Sequence, residues 1–350
     1  MKNLMSKYYS RVAVIALALA LCGCPGCPDS DDSKPVLSLY VLPLSTPNQI
    51  KQWQGNTPIT LENATTSLYS GFNIVHTGKR TIGSAFFGGF SPLELFLPGK
   101  ENDVKVIDLN VTPQVTRSIP MGGVVDYLGE DQRYIDGVSL LAVLRQLDKV
   151  VVIDITTETV SQTYTLPAES NAIKAIQCGG FNLCVLSGGS DPALYVINRE
   201  TGAQAAKVVF PQGVSDLAVR GDSTELYVSN LKTNEIYVVE LATFSIQQTA
   251  PIPSPYALVF AENRLFATGL SQFGPGRLSR INPYEGMRIE ATVETGVMPL
   301  HLSVGMGLAF TSNNQSTFLT QVNTYDMTKL PDIPLGFSPG ATALFVRYVE

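Results

Sequence analysis

The chain has 350 residues, a net charge of −6, 45% hydrophobic residues and only 15% charged ones. An acidic chain has no electrostatic footprint for nucleic acid, and this hydrophobic share excludes a disordered chain. The balance suits a well-buried, strand-rich globule.

The N-terminus reads as an export signal. Lys2, Lys7 and Arg11 precede an uninterrupted apolar run over 12–21, too short to span a bilayer stably. Removing those three basic residues leaves the remainder near −9. Leu21-Cys22-Gly23-Cys24 sets a small residue before a cysteine and a leucine three positions ahead of it. This resembles the lipobox of bacterial lipoproteins. The resemblance implies cleavage before Cys24 and a diacylglyceryl thioether on it. Residues 1–23 are then a lipoprotein signal peptide, 24–35 a lipidated flexible tether and 36–350 the folded body. A plain secretion signal is the simpler alternative. Cys24-Pro-Gly-Cys27 also has C-x-x-C spacing, but redox work wants that motif at a helix N-terminus after a strand. Here it runs into Pro28-Asp29-Ser30-Asp31-Asp32-Ser33, which packs as neither. Cys27 is left as a spare thiol or a second acylation point. No later apolar run approaches membrane length, so the lipid alone holds the body to a membrane.

Beyond the signal the chain repeats. Apolar strands end in Asp108, Asp154, Asn198, Glu240, Asn282 and Asp326, at steps of 46, 44, 42, 42 and 44 residues. That is the length of one four-stranded propeller blade. Residues 213–253 show the plan: strands at about LAV, ELYVSN, EIYVVEL and FSIQQTA, separated by turn clusters. Residues 36–70 give an irregular unit, and the final GATALFVRYVE matches only the first strand of a unit. Pairing that C-terminal strand with the N-terminal unit closes a ring and removes free sheet edges. The expected fold is all-β, a seven-bladed β-propeller of four-stranded antiparallel blades closed by its N- and C-terminal strands.

The wording LYVSNLKTNEIYVVE, with LCVLSGGSDPALYVIN and LAFTSNNQSTFLTQVNTYD, resembles the YVTN family of seven-bladed propellers. Arg199-Glu200-Thr201-Gly202 matches that family's Thr-Gly turn. The resemblance covers most of 71–350 and supports the fold more than an activity, since members include surface proteins, binding proteins and relatives of lactonases.

Superposing the first strands finds one position per blade just before the apolar core: Asn73, Asp126, Lys174, Asp216, Ala257, His301 and Ala343. First strands line a propeller's channel, so the unlike polar residues Asn73, Asp126, Lys174, Asp216 and His301 are candidate ligand-binding groups at the channel mouth. They suit a small polar ligand or a divalent cation; polar residues there also need nothing but water. His76 and His301 are the only histidines, few for a zinc site. No G-x-S-x-G supports covalent hydrolysis, and no resident cofactor is expected. Cys178 and Cys184 flank a tight turn and are either a disulfide, as an oxidising compartment favours, or two small buried residues. FFGGFSP (86–92) and FGPG (273–276) are either binding loops or simple chain reversals. YLGEDQRYIDG (127–137) reads as a polar insertion, either a partner contact or a solvated loop.

These features describe a lipid-anchored envelope protein that binds a ligand or scaffolds a protein. The alternatives are a lactonase- or lyase-like hydrolase with a metal held by Asp126, Asp216 and His301, and an envelope assembly factor. Pro25 lacks the Asp that retains enterobacterial lipoproteins at the inner membrane, so a Gram-negative host implies the outer membrane.

Overall fold

The computed structural model describes residues 34–43, 49–54, 57–62, 75–80, 90–99, 101–108, 116–130, 139–271, 273–305 and 307–349. The expected signal peptide, Cys24, most of the expected tether and Asn73 lie outside them. Leu37–Val346 forms one compact unit, distinct from the small unit that includes Lys34–Val36 and Arg347–Val349.

The described chain is built of strands, with two single-turn 3-10 helices at Arg145–Leu147 and Pro283–Glu285. The first three strands are β1 (Lys34–Pro43), β2 (Gln49–Gln54) and β3 (Thr57–Glu62). Six blades of four consecutive strands follow. They are β4–β7 (Val75–Arg80, Phe90–Pro98, Asp103–Asp108, Thr116–Pro120), β8–β11 (Tyr127–Glu130, Ser139–Leu144, Lys149–Asp154, Thr159–Thr165) and β12–β15 (Ala172–Gln177, Asn182–Ser187, Ala193–Asn198, Gln204–Val209). The next are β16–β19 (Val214–Val219, Glu225–Asn230, Glu235–Glu240, Ser245–Pro251), β20–β23 (Pro255–Ala261, Arg264–Gly269, Arg277–Asn282, Arg288–Glu294) and β24–β27 (Pro299–Gly305, Leu308–Asn313, Phe318–Asn323, Ile333–Pro334). The last strand, β28 (Pro339–Val349), joins the first three in a further sheet of order β28-β1-β2-β3.

Period-2 alternation builds the core between blades rather than within one. On β13, Leu183 and Val185 pack toward the preceding blade with Val150, Val152 and Tyr164. Cys184 and Leu186 point the other way, toward Leu217, Leu226 and Tyr237 of the next blade. Phe96, Phe266 and Phe310 are almost fully buried in equivalent layers, and each such ring contributes about 2–3 kcal/mol.

Polar clamps cross the same joints. Arg117 of β7 donates from Nε to both Glu158 carboxylate oxygens of the following blade, at 2.8 and 3.0 Å, and its Nη2 also contacts the buried Glu94. Glu262 accepts from the Gly307 N–H at 2.7 Å and the Thr324 hydroxyl at 2.6 Å.

The third-strand ends explain the repeat. Asp154 and Asn198 each accept two backbone N–H bonds with one side-chain oxygen, turning the chain into the fourth strand. Four residues later the backbone is left-handed in each of the five described turns: Glu158, Gly202, Phe244, Gly286 and Met327 have φ between 50° and 71°. The mark in the last blade is Asn323 rather than Asp326. β26 ends at Asn323, whose oxygen accepts from the Tyr325 N–H at 2.9 Å, and Asp326 lies inside the turn. A second correction concerns 127–137: Tyr127–Glu130 is β8, the innermost strand of its blade, not part of an insertion. Superposition places a first strand at Asp126, while the charged residues after Glu130 make 127–137 read as one insertion.

Every blade has two ends. Innermost strands begin at the mouth end, where the hairpins joining second to third strands also lie. First-to-second and third-to-fourth hairpins lie at the far end.

Candidate functional site

At the mouth end the innermost strands enclose a cavity of about 370 Å³. Asp126, Lys174, Asp216, Ala257 and His301 all line it, so five of the seven positions found by superposing the strands converge. Ala343 falls in β28, whose side chains are not described, and the same holds for His76 in β4.

A β-bulge explains how they converge. In β12, β16, β20 and β24 the register with the second strand shifts between Ala172 and Lys174, Val214 and Asp216, Pro255 and Leu258, and Pro299 and His301. The extra residue breaks strict alternation and re-aims the side chain that follows. Neighbours that would otherwise face opposite ways therefore both line the cavity, as with Ser215 and Asp216, or Tyr256 and Ala257. The second strand clamps the bulge: the Ser229 hydroxyl accepts from the Asp216 N–H, and the Thr268 hydroxyl from the Ala257 N–H, both at 3.0 Å. In the stretch LYVSN, Ser229 holds the bulge. Asn230 caps the next hairpin, accepting from the Lys232 and Thr233 N–H groups at 3.0 and 3.1 Å.

The charges are paired across blades. Lys174 Nζ lies 2.8 Å from Asp216 Oδ1, and Asp216 Oδ2 accepts from the Leu258 N–H at 2.7 Å. One carboxylate thus ties three successive blades. Burial is the largest influence on Lys174 and pulls its pKa down; the Asp216 charge, the Tyr127 phenol and the hydrogen bond together outweigh it and raise the pKa. The ammonium also lies 5.8 Å from the centre of the Tyr127 ring. Burial pulls His301 down to about 4, with Asp216 opposing and Lys174 reinforcing, so its imidazole is neutral at physiological pH. Burial, then Asp216, raises the Tyr256 phenol, against Arg145.

Asp126 faces Arg145. Its Oδ2 accepts from the Arg145 N–H at 2.9 Å, and the guanidinium Nε stands 4.0 Å from Oδ1. Arg145 Nε donates to the Ala172 carbonyl at 3.0 Å, bridging to the next blade at the cavity edge.

Asp126, Asp216 and His301 do not make a metal ligand set. Among the described residues no group of three or more His, Cys, Asp or Glu side chains is placed to hold an ion. Asp216 spends its oxygens on Lys174 and on the Leu217 and Leu258 N–H groups, while Asp126 spends one on Arg145. Superposing strands shows which residues converge, but not that each acid meets a base there.

Arg145, Tyr127 and Tyr256 join the site without having been singled out for it. Away from the cavity, Cys178 and Cys184 are joined by a disulfide, with Cα atoms 5.6 Å apart, across the hairpin of β12 and β13. Residues 273–276 are a mouth-end loop between β21 and β22, and 86–89 lie outside the described set.

No protein-family model matches the chain, and no curated protein matches its sequence. Its fold is similar to that of a candidate 6-phosphogluconolactonase from Bacteroides fragilis NCTC 9343 (TM-score 0.65, 11% identity, 91% of this chain and 100% of that one). It is also similar to Kuenenia stuttgartiensis hydrazine synthase (TM-score 0.57, 11% identity, 73% and 92%). A third likeness is to a chain of the mitotic checkpoint complex (TM-score 0.56, 16% identity, 69% and 76%). At such identities the likeness concerns fold alone. The chain is an all-β propeller of four-stranded antiparallel blades.

Proposed function

We propose that the protein is a lipid-anchored binding propeller of the cell envelope, of YVTN type, that takes a small polar ligand at its channel mouth. The observation that carries the reading is the cavity itself. The starts of four innermost strands bring Asp126, Lys174, Asp216 and His301 to one half-open space, beside the phenols Tyr127 and Tyr256. Concave sites with a few convergent polar groups on a rigid frame are the usual form of small-molecule sites. In this reading the sheet β28-β1-β2-β3 is the seventh blade and closes the ring. Cys24 carries the lipid, and the body stands in the envelope, at the outer membrane in a Gram-negative host.

Ligand and partner are tested together. A thermal-shift panel of small neutral and zwitterionic compounds should find stabilisers of the wild type that fail on Arg145→Ala. Equal shifts in both proteins would move the ligand elsewhere. Crosslinking in native envelopes that recovers one reproducible protein, with no small stabiliser, would favour a scaffolding or assembly role. Labelling with radioactive palmitate that persists in Cys24→Ala would refute the anchor.

The hydrolase reading keeps one support, the fold likeness to the candidate lactonase over 91% of this chain. Any such activity would use the neutral His301 and the flanking carboxylates without the three-ligand metal set. Turnover of a lactone panel that His301→Gln abolishes would establish it.

A further inference from the structure

Nine large apolar side chains are exposed among the described residues, and six of them lie at the far end, spread over five blades. Phe181 (49% exposed) sits on a first-to-second hairpin, and Tyr284 (51%) and Tyr325 (74%) on third-to-fourth hairpins. Val160, Ile246 and Ile289 are each the second residue of a fourth strand, next to those hairpins. Only Leu147, Val209 and Phe273 belong to the mouth end.

The three rings are braced. The Cys178–Cys184 disulfide closes the hairpin that carries Phe181. The Arg220 guanidinium stacks 4.2 Å from the centre of the Tyr284 ring, reaching from the neighbouring blade. The Tyr325 ring lies so close over Gly307 that a Cβ there would meet it at 2.5 Å. Rigid, half-exposed aromatics with aliphatic neighbours are the side chains that settle at a membrane–water interface.

The chain's own path supplies the occupant. Counting outward from β28, β1 is the second strand of its sheet. Taken as a blade, that sheet has its second strand starting at the far end, so the chain would enter on the side of the exposed rings. Nine residues separate Cys24 from β1, ten steps along the chain with a reach of at most about 35 Å. From these observations we infer that the far end lies on the lipid surface, with Phe181, Tyr284 and Tyr325 in its interface and the cavity mouth facing away. The inference rests on the proposed anchor at Cys24 and on β28-β1-β2-β3 being a blade. Glu285 pairs with Arg288 at this end, but its other turns carry an excess of acids, Asp154, Glu158, Glu200, Asp222, Glu240 and Asp326. Apolar insertion therefore carries the contact, and anionic lipid is not required.

The test uses full-length lipidated protein in vesicles of phosphatidylcholine and phosphatidylethanolamine, with Trp53→Phe removing the single native tryptophan. Tyr325→Trp or Phe181→Trp then reports one end and Phe273→Trp the other. Brominated lipid should quench either far-end reporter roughly twofold and leave the mouth-end reporter unchanged. Flotation of each variant with the vesicles, and a wild-type far-UV spectrum, verify anchoring and folding. Protein that floats without far-end quenching, or with equal quenching at both ends, overturns the orientation and leaves the anchor standing. Protein that does not float overturns the anchor, and the orientation with it.

Discussion

The Lys174 ammonium meets Asp216 Oδ1 at 2.8 Å across the joint between two blades, while the other Asp216 oxygen holds the Leu258 N–H of a third. Both side chains are 16% exposed, so neither charge has much water to fall back on.

Asp216→Ala should therefore cost about 3–5 kcal/mol, because it strands a largely buried ammonium and frees two N–H groups. Lys174→Met should cost less, since Asp216 keeps the Leu217 and Leu258 donors. Urea denaturation with an unchanged m-value would check the order; equal losses would mean that the carboxylate's backbone bonds contribute little.

His301 should stay neutral well into the acid range. Its folded pKa of about 4 lies below the ordinary 6.5, so between those values the unfolded chain binds a proton that the folded one does not. Stability is then full above pH 6.5 and falls on acidification toward 4, by on the order of 3 kcal/mol. His301→Gln should flatten that slope. Imidazole proton shifts report the titration directly, and the same variant assigns which of the two histidine signals is His301.

Arg117 is the charge shared by Glu94 and Glu158, and those acids raise its pKa strongly. Arg117→Ala leaves Glu94, only 1% exposed, without that partner. A loss of about 3 kcal/mol is expected, with part recovered by adding Glu94→Gln, which removes the buried charge. A double-mutant cycle measures the recovery; no recovery would show that packing, not charge, is lost.

Reducing the disulfide should destabilise only modestly. Cys178 and Cys184 are six residues apart, so closing their loop contributes about 2 kcal/mol in the chain-entropy account. Denaturation midpoints with and without reductant, beside Cys178→Ala/Cys184→Ala, would show it.

Much of the framework was legible because backbone chemistry repeats. The residue that ends a third strand must accept N–H bonds from the next turn, so Asp154, Asn198 and Asn282 recur at the blade period. Asp326 misled because an acid three residues past Asn323 mimics the mark. Lys174, Asp216 and His301 were visible together because the bulge recurs at one place in β12, β16 and β24, and Asp126 because it too stands just before the apolar core of a first strand. Arg145 was not, since its counterparts at the start of the same hairpin, Gly188, Leu231, Leu270 and Asn314, include no second charged residue. The ion pairs were hidden too, because pairing depends on side-chain reach between blades and leaves no period. The left-handed turn position shows the limit clearly: Glu158, Gly202, Phe244, Gly286 and Met327 do one backbone task with four residue types. The geometry persists where the letters diverge, and shape finds likenesses that sequence does not.

The balance of charge at the cavity also bears on encounter rates. Lys174 offsets Asp216 and Arg145 offsets Asp126, so these four groups add little net field of their own at the mouth. A neutral or zwitterionic ligand would arrive unsteered, at the roughly 10⁵–10⁶ M⁻¹s⁻¹ of neutral encounters, and its association rate would scarcely change with ionic strength. Selectivity would then be exercised after arrival, through residence time rather than capture.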